Sequence, residues 1–253
     1  MSGPGTNELQ GRTALVTGGA SGIGAACARE LASRGVSVTV ADIDDVGAKT
    51  LAQEIGGTAW SLDLSDVSAL EDLQLEVDIL VNNAGIQSIS EIEEFPPDRF
   101  RVMLALMVEA PFLLIRAALP HMYREGYGRI VNISSIHGLR ASPFKVAYVT
   151  AKHALEGLSK VTALEGGPHG VTSNCVNPGY VRTPLVTKQI ADQARTHNIP
   201  EDQVITDILL KESAVKRLVE PEEVSALVAW LATPAAGMVT GASYTMDGGW
   251  SAR

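Results

Sequence analysis

Thr13-Ala14-Leu15-Val16-Thr17-Gly18-Gly19-Ala20-Ser21-Gly22-Ile23-Gly24 is the stretch from which the rest of the chain is read. Thr13 to Thr17 form a short apolar strand that runs straight into the glycines, and a helical pattern from Ala25 to Ser33 closes at Gly35. A glycine-rich turn between strand and helix lets backbone N–H groups meet a pyrophosphate at the helix N-terminus. The spacing is Gly18-x-x-x-Gly22-x-Gly24, which is not the commonest dinucleotide fingerprint. A plain strand-to-helix turn is the alternative reading.

Further along, Val36 to Ala41 is a second strand ending at Asp42. A carboxylate there would accept the ribose hydroxyls of an adenosine and repel a 2′-phosphate, which favours NAD over NADP. Helix and strand then alternate: helix Asp44 to Ile55, strand Thr58 to Leu62, a short helix, strand Val77 to Val81, and a long helix from about Pro97 to Tyr123. Strand Gly128 to Ile133, helix Ala147 to Glu165, strand Val171 to Val176, helix Glu220 to Leu231 and strand Ala242 to Met246 follow. This alternation predicts an α/β fold, a single doubly wound parallel sheet of Rossmann type. Met1 to Gln10 reads as a loose tail and 11–253 as one domain. Residues 185–213 interrupt the pattern and read as two short helices split at Asn198-Ile199-Pro200, a lid over the ligand crevice.

Net charge of −9 without a dense Lys/Arg run argues against nucleic acid and anionic membrane surfaces as partners. Neither a membrane-length apolar run nor a signal-peptide pattern is read, so the expected location is cytoplasmic. Cys27 and Cys175 read as separate buried thiols, and His121, His153, His169 and His197 show no metal-ligand spacing.

Tyr148 and Lys152, four apart, project from one face of the same helix. A cation beside a phenol favours phenolate and lowers its pKa, fitting the tyrosine to take a proton from an alcohol near neutral pH. Taken alone, such a pair is far more often an ordinary solvated helix pair.

Together these motifs resemble the short-chain dehydrogenase/reductase family from about Gly11 to Trp250. The matching pieces are Thr17-Gly18-x-x-x-Gly22-x-Gly24, Asp63, Asn82-Asn83-Ala84-Gly85, Ser135, Tyr148-x-x-x-Lys152 and Pro178-Gly179 followed by Thr183. The resemblance implies a nicotinamide cofactor, NAD by the Asp42 argument, and a homotetramer. It implies that Gly18, Ser21, Gly22, Ile23 and Gly24 cradle the cofactor and that Asp63 and Leu64 border the adenine. Asn83, Ala84 and Gly85 would line the cofactor, with Pro178, Gly179, Val181 and Thr183 about the carboxamide. Tyr148 would abstract the alcohol proton, Lys152 would lower its pKa and bind the nicotinamide ribose, and Ser135 would hold the substrate oxygen.

Within that family, Gln87, His137, Lys145 and Gln189 are placed as in bacterial D-3-hydroxybutyrate dehydrogenases, where the matching groups hold the substrate carboxylate. A short carboxylate needs one cation and several neutral donors, which these four supply. The implied reaction is oxidation of (R)-3-hydroxybutyrate to acetoacetate. Another small hydroxy acid, ketone or secondary alcohol is the alternative within the class. A departure stands at Met107, where the family carries a relay Asn; a thioether cannot donate. Met107 is the one feature that favours an NAD-binding protein with little catalysis. Tyr180 replaces a Trp of the closer relatives and keeps an aromatic wall.

Overall fold

The computed structural model describes residues 8–252, apart from seven side chains of the lid: Leu185, Lys188, Gln189, Asp192, Gln193, Thr196 and His197. Seven strands, β1 (Thr13–Thr17), β2 (Ser37–Asp42), β3 (Thr58–Ser61), β4 (Ile79–Asn82), β5 (Gly128–Ile133), β6 (Val171–Pro178) and β7 (Ser243–Met246), form one sheet. Their order is β3-β2-β1-β4-β5-β6-β7 and every pairing is parallel. The helices are α1 (Gly22–Ser33), α2 (Asp45–Ile55), α3 (Pro97–Leu104), α4 (Ala110–Glu125), α5 (Val146–Gly166), α6 (Pro184–His197), α7 (Glu201–Gln203) and α8 (Pro221–Leu231). The single doubly wound sheet expected from the sequence is the fold found.

Residue alternation explains why both faces of the sheet are covered. Ala14, Val16, Ile79, Val81, Val131 and Ile133 point into one core with α1, α2 and α8. Leu15, Leu80 and Ile130, their sequence neighbours, point into the opposite core with α4. Fully burying each of these valine, leucine and isoleucine side chains contributes about 1.5–3 kcal/mol. Strand order reverses between β1 and β4, and a crevice opens there at the carboxyl ends of the strands.

Three expectations are corrected. Leu9, assigned to a loose tail, is 1% exposed and belongs to the first core; 1–7 lie outside the described residues. The long helix is not continuous, because Ala105–Glu109 forms a π-helical turn between α3 and α4. Pro111 has no N–H to give the Met107 carbonyl, so the ordinary i→i−4 bond there cannot form. Lastly, Pro97–Glu125 is long and apolar enough to cross a membrane by length and composition. Here it is a core helix: Met103, Met107, Leu114 and Met122 on it are fully buried.

Helix ends follow local chemistry. Asp44 caps α2 by accepting from the Gly47 N–H, and Gly56 and Gly126 end α2 and α4 in the left-handed conformation. Glu220 and Glu223 form a capping box for α8, with Pro221 opening it. The insertion after β6 holds α6 and α7, parted by Asn198 at φ +52°, then a π-helical turn Val204–Leu209. Ile190, Val204, Leu209, Leu210 and Leu218 give this segment a small core of its own.

Candidate active site

All the chemistry-bearing motifs lie at the carboxyl ends of the strands, around one cleft of about 580 Å³. Thr17 ends β1, Asp42 ends β2, Asn83 follows β4, Ser135 follows β5 and Gly179 follows β6.

At the glycine turn, Gly18 and Gly22 have φ of +60° and +52°, which L side chains rarely adopt. A Cβ on Gly24 would lie 2.2 Å from the Gly18 carbonyl oxygen, so that residue is a packing glycine; it does not line the cleft. Thr17 Oγ1 accepts from the N–H groups of Asn83 and Ala84 at 2.9 and 3.1 Å, and Asn83 Nδ2 donates to the carbonyls of Thr17 and Gly18. Two separate loops are thereby locked into one floor. Ser21 precedes α1 without a side-chain capping bond, leaving first-turn N–H groups open toward the cleft. Asp42 accepts from the N–H groups of Ala20 and Asp44, each at 2.9 Å, which fixes a carboxylate at the rim. A turn that only glycine fits, open helix N–H groups and a fixed carboxylate suit the pyrophosphate and adenosine ribose of a dinucleotide.

Ser21, Ile23, Asp63, Leu64, Gly85, Pro178, Val181 and Thr183 line the same cleft, as do Gly18, Gly22, Asp42, Asn83, Ala84 and Gly179. So do Gln87, Ser135, His137, Lys145, Tyr148 and Lys152. Of the residues singled out in the sequence, Gly24 lies beneath the cleft, and the side chain of Gln189 lies outside the described set.

At the closed end, Lys152 is 3% exposed and donates to the Ile133 carbonyl at 2.7 Å. Burial pushes its pKa down to about 8, while Cys175 and Glu156 act the other way. The phenol departs from expectation. Burial holds the Tyr148 pKa above its ordinary value, with hydrogen bonding from Ser135 acting in the opposite direction. The Lys152 ammonium lies 5.6 Å from the Tyr148 ring centroid and is drawn to a carbonyl, so it does not supply the lowering that the four-residue spacing suggested. Ser135 Oγ accepts from the His137 N–H at 3.1 Å and also hydrogen-bonds the Tyr148 hydroxyl.

The carboxylate-binding candidates converge. Lys145 Nζ stands 3.2 Å from His137 Nε2 and 5.8 Å from the Tyr180 ring centroid. Burial, and then the Lys145 charge, push the His137 pKa down to about 4, and burial lowers that of Lys145. His137 is therefore a neutral acceptor for Lys145. Its ring meets Tyr148 and Trp250 edge-on, with centroids 6.2 and 6.1 Å away. Phe144, just before Lys145, sits at φ +67°, and its carbonyl accepts from the Ser90 N–H at 3.0 Å. This sharp backbone turn leads Lys145 into the cleft.

Sequence reading passed over Arg99, Val102 and Leu106, which also line the cleft. Their three- and four-residue spacing puts them on one helical face, a signal that was present. Arg99 Nε donates to Ser88 Oγ at 2.9 Å. Met107 is 1% exposed and packs with Phe95, Met103, Ala147 and Ala151, so an apolar contact fills the place of the family Asn.

A family model described as enoyl-(acyl carrier protein) reductase matches residues 18–251. The chain belongs to the short-chain dehydrogenase/reductase family, whose members are oxidoreductases that use a nicotinamide cofactor. It is similar to the D-beta-hydroxybutyrate dehydrogenase of Rhizobium meliloti (strain 1021), 43% identical over 96% of this chain and 99% of the relative. The enzyme of that name from Cupriavidus necator is 42% identical, over 97% of this chain and 100% of the relative. A crystal structure described as an NAD(P)-dependent gluconate 5-dehydrogenase of Beutenbergia cavernae, with NADP bound at low occupancy, superposes with a TM-score of 0.86. It is 36% identical and covers 98% of this chain and 100% of its own.

Proposed function

We propose that this protein oxidises (R)-3-hydroxybutyrate to acetoacetate with NAD. The observation that carries the reading is one half-buried cation, Lys145, beside neutral His137 and Gln87 in the cleft that ends at Ser135 and Tyr148. A carboxylate in a water-poor pocket needs that single charge, which neutral His137 holds in place by accepting from Lys145, and a neutral donor such as Gln87. The names of the relatives support the substrate. Asp42 supports NAD: a carboxylate fixed by two backbone N–H groups faces the position of a 2′-phosphate and repels it.

In this reading the glycine turn, Asp42 and Lys152 would hold the dinucleotide, whose nicotinamide would supply the acceptor for the hydride lost from C3 of the substrate. Tyr148, reacting in its ionised form, takes the hydroxyl proton as the C3–O bond becomes a carbonyl. Ser135, held on the His137 N–H, donates its proton toward the substrate oxygen and fixes it. Lys152 supplies positive charge at the closed end, and Lys145 anchors the carboxylate so that C3 faces Tyr148. Residues 185–213 are assigned as the lid, with Gln189, whose side chain lies outside the described residues, as its candidate donor to the same carboxylate.

The test is reduced-cofactor formation from (R)- and (S)-3-hydroxybutyrate, each with NAD and NADP. Turnover confined to the R enantiomer with NAD is expected. Lys145→Ala lowers kcat/KM for the acid between about ten- and a hundredfold, as expected for one lost charged hydrogen bond, and leaves a neutral secondary alcohol unaffected. Equal loss on both substrates would mean that the pocket does not read a carboxylate.

A further inference from the structure

Glu156 is a carboxylate only 4% exposed, and the mechanism above does not use it. It stands one turn beyond Lys152 and two beyond Tyr148, on the same stripe of α5. Its Oε1 accepts from Asn177 Nδ2 at 2.5 Å, and its Oε2 accepts from Ser243 Oγ at 2.6 Å on β7. Asn177 Nδ2 also donates to the Ser135 carbonyl at 2.9 Å. A Cβ on Gly138 would lie 2.8 Å from Glu156 Oε1, so the carboxylate sits directly against the turn that carries Ser135 and His137.

Both oxygens receive donors, the arrangement an ionised carboxylate requires. No cation lies within 4 Å of Glu156 among the described residues. Such a buried charge needs compensation, and Lys152 is the cation one turn away.

We propose that Glu156 is a positioning residue: through Asn177 it fixes the Ser135 peptide, and its buried negative charge holds Lys152 as an ammonium. Other groups facing Lys152 are few. Tyr148 shares its helix and Cys175 faces it from β6, with a thiol that burial raises far above its ordinary pKa and so keeps neutral. From β5 comes the Ile133 carbonyl, and His137 on the Ser135 turn is neutral. Glu109, on the π-helical turn, is exposed. Glu156 is therefore the buried anion that sets the local potential.

The inference rests on the reading of Tyr148 and Lys152 as the working pair, which wild-type turnover tests separately. The deciding variant is Glu156→Gln, which keeps the shape and removes the charge. Its alkaline limb of kcat/KM moves about one pH unit lower, a conservative Coulomb effect for charges one helical turn apart. At pH 8 this is about a fivefold loss, from the smaller protonated fraction of Lys152. Ser243→Ala, which removes one hydrogen bond and no charge, leaves the limb in place.

A second readout needs no turnover. Lys152 titrates near 8 when folded against an ordinary 10.5, so between those values the unfolded chain binds more protons and stability rises with pH. In cofactor-free Glu156→Gln that rise begins about one unit lower. If Glu156→Gln does not fold, Glu156→Asp is read instead: it keeps the charge and the limb while kcat falls. An unmoved limb in the Gln variant, or a displaced limb in the Asp variant, overturns the proposal.

Discussion

Tyr148 shows how far a side chain's chemistry departs from what its spacing suggests. Four-residue separation from Lys152 was visible in the sequence, and the two do share a helix face. Burial was not visible, and it pushes the phenol up and the ammonium down. His137 makes the same point with a testable sign. Its folded pKa of about 4 lies below the ordinary 6.5, so between those values the unfolded chain binds more protons. Stability therefore falls as pH drops through that window. His137→Gln flattens this slope in thermal melts recorded from pH 7 to pH 4. For activity, His137 stays neutral, so KM for a carboxylate substrate holds steady between pH 6 and 8. A step in KM near 6.5 would show instead that His137 is charged in the working enzyme. Asp42 was legible because a strand end is a fixed address in this architecture. Glu156 was not, because only tertiary structure brings Asn177 and Ser243 to it.

Elements tell the complementary story. β1 and β5 run just where the apolar runs put them, since a buried parallel strand needs continuous apolar residues between turn signals. The glycine turn was equally legible, and Gly24 is its most exacting position. Gly24→Ala puts a methyl group against a backbone carbonyl that cannot move without breaking the Asn83 lock. We expect a loss of about 1–3 kcal/mol in denaturant unfolding, as for other overpacked sites, together with weakened cofactor binding by fluorescence titration. The π-helical turn was missed although its cause, Pro111, stood in the sequence. Restoring the family side chain there puts an amide among Phe95, Met103, Ala147 and Ala151. Met107→Asn is expected to cost about 1–3 kcal/mol in stability with no gain in kcat. Unchanged stability with faster turnover would reveal a polar path beside Lys152.

At the scale of the whole molecule, the single doubly wound parallel sheet was readable from alternation, while the order of its strands and its surface were not. Val161 and Leu164 on α5, Trp230 on α8 and Met238 are 54%, 79%, 41% and 96% exposed. We propose that such faces meet in a homotetramer, and light scattering is expected to return four times the 26.7 kDa of one chain. A monomeric mass with full activity would remove that expectation. The order in which the sheet is assembled has a consequence for synthesis. β1 and β4, which flank the cleft, leave the ribosome early, whereas β7 is the last strand made. Only when β7 arrives does Ser243 reach Glu156, and only then does Trp250 close against His137. A nascent chain thus has its glycine turn and its Tyr148–Lys152 helix made before the last strand brings in the contacts that complete the proton-handling end. Translation would act as its own safety catch, with competence conferred by the final strand.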